Sequence, residues 1–419
     1  MEEFISELRG DRNFALSGGD LRHVSAKVWN KGGTLSYHVT GRAENLSGSI
    51  DRYQIAEGSA DFSVYTGYAD ISRLKASVNG QPLEGDFSVS WADRPEMNGT
   101  FMLRGVHIEQ WIPQAGVTGS ITGQIHVAGL IADPDITGRL QISDGLADQI
   151  PIQNGSVSFQ WTSGLLKISR AYIASAGGAV SGYGQWDSRD GTWEAVLSAR
   201  QVSLDTLPLP MAASGTVSGD IQASGSAGKS TFSLLRAQGN LEGSGLSAAG
   251  ISAEHLQAQV SGGIQDGWHV RFYGTEAAAE GIQADTVSGE ADGMGDQWTV
   301  PYLNGTMGNG AFSARGSYHA GTVDGQAEAG QLSLDHFSQA AGLPLGGTVS
   351  FKISVQGSLD HPVFSGQADA AEGFVGTMPF DSVSVRFHSD GTRVNLEHLL
   401  WKKGEGFHRE TGSIGPFGG

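Results

Sequence analysis

The chain has no cysteine. That excludes disulfides, thiolate metal sites and cysteine nucleophiles, and it suits a protein that works where thiols would be oxidised. Basic residues are in the minority, 26 against 44 acidic, for a net charge of −18. A phosphate backbone would be repelled by that balance, so no nucleic-acid partner is expected. The acidic residues are dispersed, as solvated faces and turn positions require. Proline is modest at 12 residues. No run approaches the roughly 18–20 apolar residues that cross a bilayer as a helix. The first ten residues (Met1 to Gly10, MEEFISELRG) are acidic and do not read as a signal peptide.

What the chain has is glycine. Its 63 glycines among 419 residues are about twice the usual share of roughly 7%. They follow no collagen period, and an apolar content of 39% is too high for a disordered linker. Asn-Gly pairs begin at Asn79, Asn98, Asn154, Asn304 and Asn309, and Asp-Gly pairs at Asp144, Asp190, Asp266, Asp292, Asp324 and Asp390. Both pair types suit type I′ hairpin turns, whose central residues need positive φ. Between them apolar residues recur at every second position: Phe87-Val89-Trp91, Val157-Phe159-Trp161, Phe351-Ile353-Val355 and Val383-Val385-Phe387. Period two gives each strand one apolar and one polar face. An all-β, antiparallel-rich meander follows. At about 12 residues per strand and turn it would hold roughly 35 strands.

A longer period lies above this one. The segment Gly119–Gly145 matches Gly347–Gly373, so that Gly129 pairs with Gly357 and Pro134 with Pro362, an offset of 228 (362 − 134). The register continues to Val157 with Val385 and Phe159 with Phe387. A third copy begins at Gly215 and then diverges. Each copy follows an acidic connector, at Glu109, Asp205 or Asp335. Such an acid is expected to open a short helical turn and cap its free N–H groups. The organisation expected is an N-terminal segment over residues 1–29, a continuous β-repeat array over 30–402, and a glycine-rich, disordered tail over 403–419. Units would start near residues 30, 119, 215 and 347. One unit cannot bury its own apolar face, and stacked neighbours extend a continuous one.

Chemistry finds little foothold in the residues. There is no G-x-S-x-G elbow, no phosphate-cradling glycine loop and no tandem G-G-x-G-x-D calcium repeat. His388, His398 and His408 are evenly spaced, but no carboxylate completes a metal ligand set around them. Asp133 and Asp135 flank Pro134 as turn residues would. No enzyme activity, cofactor or metal is expected.

The element VSLDTLPLP followed by GTVSGDIQASG (Val202–Gly225) resembles the repeat of the TamB/AsmA-like family, as do its echoes at Val106–Gly129 and Leu332–Gly357 and the piece VNGQPLEG (Val78–Gly85). The resemblance spans residues 30–400. It implies an elongated repeat architecture whose curved sheet forms a β-taco-like hydrophobic groove. It also implies a bridge-like lipid transfer protein of diderm bacteria, anchored in the inner membrane and extending through the periplasm. The partners would be phospholipid acyl chains and an outer-membrane TamA-type or BamA-type barrel. The groove would be lined by Phe87, Val89, Val157, Phe159, Leu166, Ile168, Ile353, Val355, Val383, Val385 and Phe387. This chain departs from the family in having no N-terminal anchor helix and in ending on EGFHRETGSIGPFGG, and both departures suggest a fragment. Two other readings stand beside this one. A β-helical surface adhesin or autotransporter-like passenger would close the apolar face into a dry core. A polysaccharide-acting β-helix would need clustered carboxylates on neighbouring coils. Alternation alone leaves open which face lines an interior.

Overall fold

The structure is a computed structural model that describes residues 14–50, 53–91, 94–111, 116–147, 150–175, 177–209, 211–227, 232–391 and 393–414. It is all-β: 83% of the described residues lie in 25 antiparallel strands of an open sheet, and 4% are helical. The chain divides into two compact units, Met1–Leu197 (with Thr206–Pro208 and Ala227–Thr231) and the remainder.

The first unit is a meander. Its strands are β1 (Phe14–Lys31), β2 (Thr34–Ile50), β3 (Tyr53–Tyr65), β4 (Tyr68–Val78), β5 (Gln81–Ser90) and β6 (Glu96–His107). Five more follow: β7 (Val117–Leu130), β8 (Asp133–Ala147), β9 (Ile150–Thr162), β10 (Leu165–Ser175) and β11 (Gly178–Asp187). From β1 to β11 each strand pairs with the next in sequence. Three strands come next, β12 (Thr192–Ser203), β13 (Ala213–Ala227) and β14 (Phe232–Ala248).

The second unit continues with β15 (Ile251–Gly263), β16 (Gly267–Ala279), β17 (Ile282–Met294), β18 (Gln297–Met307) and β19 (Gly310–His319). It ends with β20 (Thr322–Ser333), β21 (Leu345–Ser358), β22 (Val363–Val375), β23 (Met378–Ser389), β24 (Val394–Lys403) and β25 (Gly406–Ile414). From β14 to β25 the pairing is again strictly sequential.

The 228-residue offset is an offset of whole strands. Strands β7, β9 and β11 begin at Val117, Ile150 and Gly178, and β21, β23 and β25 at Leu345, Met378 and Gly406, in each case 228 positions on (345 − 117, 378 − 150, 406 − 178). Starts correspond within a few residues back to β3 and β17, so each unit contains the same nine-strand run.

Three expectations need correction. The described residues form 25 strands rather than about 35, because six of the eleven Asn-Gly and Asp-Gly pairs lie within strands. Asn79-Gly80 does turn, with φ of 50° and 78°, and the Asp190, Asp266, Asn309 and Asp390 pairs also stand at turns. Asn98-Gly99, Asp144-Gly145, Asn154-Gly155, Asp292-Gly293, Asn304-Gly305 and Asp324-Gly325 are inside strands. Mid-strand glycine leaves room for a large neighbour across the ladder. Secondly, the array is longer at both ends than 30–402. Phe14–Lys31 falls in the expected N-terminal segment and Gly406–Ile414 in the expected disordered tail, yet both are strands. The rest of those segments, 1–13 and 415–419, lies outside the described residues. Thirdly, the cap of the third connector is a serine rather than the acid.

Candidate functional site: a continuous apolar face

Residues directly opposite each other on antiparallel strands point to the same face. In the first unit this builds transverse rows. One row runs Phe87, Gly99, Val127, Ile136, Trp161, Leu166 and Trp186 across β5 to β11. The next runs Gly85, Phe101, Ile125, Gly138, Phe159, Ile168 and Gly184. Rings and glycines face each other along these rows. A Cβ on Gly99 would come within 2.4 Å of the Phe87 Cβ, and one on Gly138 within 2.4 Å of the Phe159 ring.

The second unit repeats the pattern. Ala327, Ile353, Gly366, Phe387 and Leu396 form one row from β20 to β24. Beside it run Phe312, Ala329, Phe351, Ala368, Val385 and Leu399. Val355 faces Phe364, and Val383 faces Ala370 and Trp401. Within its own unit, then, each sequence-selected groove residue shares one face with the others. Side chains such as Phe101, Ile125 and Ile136, or Phe272 and Phe312, belong to the same faces but escaped the sequence reading. Their strands are broken up by in-strand glycines, which hide the alternation.

The apolar face is half-buried; on the opposite face Asp86, Lys167, Lys352, Arg386 and His388 are exposed, while serines such as Ser88, Ser158 and Ser354 are half-buried. Along β22, the residues from Phe364 to Ala370 alternate between half-buried apolar or glycine positions and exposed polar or small ones. Phe87, Val89, Val157, Phe159, Leu166, Ile168, Ile353, Val355, Val383, Val385 and Phe387 are all half-buried. They touch lateral neighbours along their rows.

The largest fully buried side chains stand at strand ends that carry or adjoin the connectors. Val106 and Leu332 are 1% exposed and Phe380 is 2% exposed. Val106 and Leu332 sit just before the acidic connectors. In the second unit Ala284, Met307, Leu332 and Val349 form a cluster on which Leu334 and Phe337 of the connector pack. Phe380 meets Trp401 edge to face at 5.4 Å.

All three acidic connectors are short helical turns: Ile108–Trp111, Leu204–Thr206, and Leu334–Phe337 running into Ser338–Ala341. The cap of the third is Ser333, whose hydroxyl accepts from the Asp335 N–H at 3.4 Å and donates to Oδ2 of Asp335 at 3.2 Å. Ser203 donates likewise to Asp205 at 3.2 Å. Glu109 instead reaches forward to accept the Gly119 N–H at 3.2 Å. Backbone N–H donors hold its carboxyl below the usual range. In the third connector the expected capping role therefore falls to Ser333, while Glu109 fastens the first connector to β7.

The polar face is laced with cross-strand pairs. Arg271 contacts Glu290 at 2.5 Å, and hydrogen bonding to that guanidinium lowers the glutamate pKa. His269 pairs with Asp292 at 2.7 Å. A depression of about 710 Å³ lies on this side, lined by Thr286, Ser288, Asn304, Ser313, Glu328 and Lys352 together with backbone-near apolar groups. Among the described residues, no group of three His, Asp or Glu side chains could hold a metal ion. His388 bonds Glu397 at 3.1 Å, His398 lies opposite Arg386, and His408 lies opposite Trp401 on the apolar side. Asp133 accepts from the Ser163 hydroxyl at 2.8 Å, a contact between turns. No helix among the described residues is long and apolar enough to cross a membrane.

No family profile, no curated protein and no solved structure matches this chain.

Proposed function

We propose that the apolar face binds phospholipid acyl chains, and that the chain serves as part of a periplasmic conduit carrying phospholipid between inner and outer membrane in support of outer-membrane assembly. The observation that carries the reading is the half-burial of every groove candidate on a face that runs unbroken through each unit. Each methylene moved from water onto such a surface gains about 0.8 kcal/mol. No bond has to be made or broken.

The adhesin reading needs a dry, closed core. Among the described residues the largest fully buried side chains, Val106, Leu332 and Phe380, stand at strand ends on the connector side, so the observation favours an open face. The periplasmic setting, the inner-membrane anchor and the TamA-type or BamA-type barrel partner rest on the resemblance of Val202–Gly225 and its echoes.

The test is photocrosslinking from a benzophenone side chain at position 159 or 387 in cells, followed by mass spectrometry of the purified protein. Phospholipid adducts are expected at both positions and not at the polar-face position 386. Absence of adduct from every apolar-face position would refute the conduit.

A further inference from the structure

The two rims of the apolar face differ in chemistry. In a meander, successive connections alternate between rims. In the second unit the rim with the helical connector Leu334–Ala341 is sealed by Leu332, Met307 and Phe380. The opposite rim is aromatic. Trp268 is the second residue of β16, Trp298 the second of β18, and Tyr318 the second-last of β19. They lie in one row on the apolar face: Gly262, Trp268, Gly293, Trp298, Tyr318 and Val323. The Trp298 ring lies over Gly293, where a Cβ would come within 2.3 Å of it. The first unit does the same, with Trp161 second-last in β9 and Trp186 second-last in β11, their rings 6.2 Å apart.

Tryptophan and tyrosine prefer the boundary between an apolar phase and a wet one, because a polar N–H or O–H sits on an apolar ring. A row of them along one margin of an apolar face marks where that boundary runs. Just outside the row, the turns carry Asp296 and Asp360. Both are exposed and make no ion pair among the described residues. That charge complements an ammonium group and opposes an anionic one.

From this, and resting on the lipid reading above, we propose that the face holds zwitterionic aminophospholipid in one orientation. The glycerol and ammonium headgroup lie at the Trp268–Trp298–Tyr318 rim, and the methyl ends point to the Leu332–Phe380 rim. Acyl chains then lie along the strands rather than across them, with headgroups in single file at one margin.

The absence of cysteine makes the test clean. Two single-tryptophan variants of the full chain, retaining Trp298 or Trp401 with the others changed to Phe, are loaded from phosphatidylethanolamine vesicles. The lipid carries a nitroxide either beside the glycerol or near the methyl end. Trp298 should be quenched about twofold more by the glycerol-end label, and Trp401, at the sealed rim, by the methyl-end label. Should the multiple Phe variants misfold, a bimane on Leu359→Cys or Thr377→Cys in otherwise native protein gives the same comparison from the two rims. The reverse order, or equal quenching at both rims, would overturn the orientation. Quenching as strong from phosphatidylglycerol as from phosphatidylethanolamine would overturn the ammonium assignment. If no label quenches any reporter, it is the lipid reading itself that fails.

Discussion

Phe159 of β9 stands opposite Gly138 of β8, with its ring in the space that a Cβ on Gly138 would need, 2.4 Å from Cε1. The same relation recurs between Phe87 and Gly99, Phe101 and Gly85, and Phe312 and Gly305. Glycine abundance in this chain is therefore packing as well as turning. A ring laid on a bare backbone adds apolar contact where a second strand side chain would have stood, and it covers the ladder hydrogen bonds beneath.

Gly138→Ala should destabilise the first unit by about 1–3 kcal/mol, the cost typical of overpacking. Phe159→Ala in the same chain should recover part of that loss, because the clash disappears with the ring. A double-mutant cycle by urea denaturation checks it. Strict additivity of the two changes would show that the ring does not constrain the glycine.

Much of the architecture was legible because period two and the 228-residue repeat are both pattern signals. Val157-Phe159 and Val383-Val385-Phe387 alternate cleanly, and their strands lie where the pattern puts them. The strand count was not legible, since Asn98-Gly99 and Asp292-Gly293 carry the same letters as a hairpin turn. What separates them is the partner across the ladder, Phe87 or Trp298, which is distant in sequence. The shared face of the groove candidates followed from alternation. The sealing at the connector strand ends did not, because Leu332 is buried beneath a connector folding over them and Phe380 against Gly373 and Trp401.

Burial depth ranks the next substitutions. Leu332→Ala and Phe380→Ala remove fully buried side chains at the sealed rim and should cost about 2–5 kcal/mol each. Val385→Ala, on the half-buried face, should cost about 1 kcal/mol, since water already reaches the site. Thermal and chemical denaturation of the three variants measures the order. A Val385→Ala loss equal to that of Leu332→Ala would mean that a second layer covers the face in solution.

Acid should loosen the turn after β11. The Arg189 guanidinium and backbone N–H hydrogen-bond Asp187 and hold its pKa down to about 2. A depressed carboxylate pKa stabilises the fold above its unfolded value of about 3.9. That contribution is lost as pH falls from about 4 through about 2. Carboxyl-carbon NMR should show the Asp187 resonance titrating near the lower value. In Asp187→Asn the turn should lose this step between pH 4 and pH 2.

The decisive pair contrasts the two faces of a single strand. Phe387→Gln puts an amide on the apolar face of β23, whereas Arg386→Gln alters its neighbour on the polar face. Both positions have water within reach, so an amide at 387 can stay hydrated and the stability loss should remain below about 2 kcal/mol. An acyl chain crossing the same position would have to desolvate that amide, which costs about 1–3 kcal/mol, or roughly tenfold in occupancy. Crosslinked lipid recovered from a benzophenone at position 159 should be unchanged in Phe387→Gln, because that site lies in the other unit's own rows. Recovery from a benzophenone at position 353, whose row includes residue 387, should fall about tenfold, and Arg386→Gln should leave it intact. Equal losses from both substitutions would mean that lipid contacts the sheet without regard to face, and the apolar rows would then need another explanation.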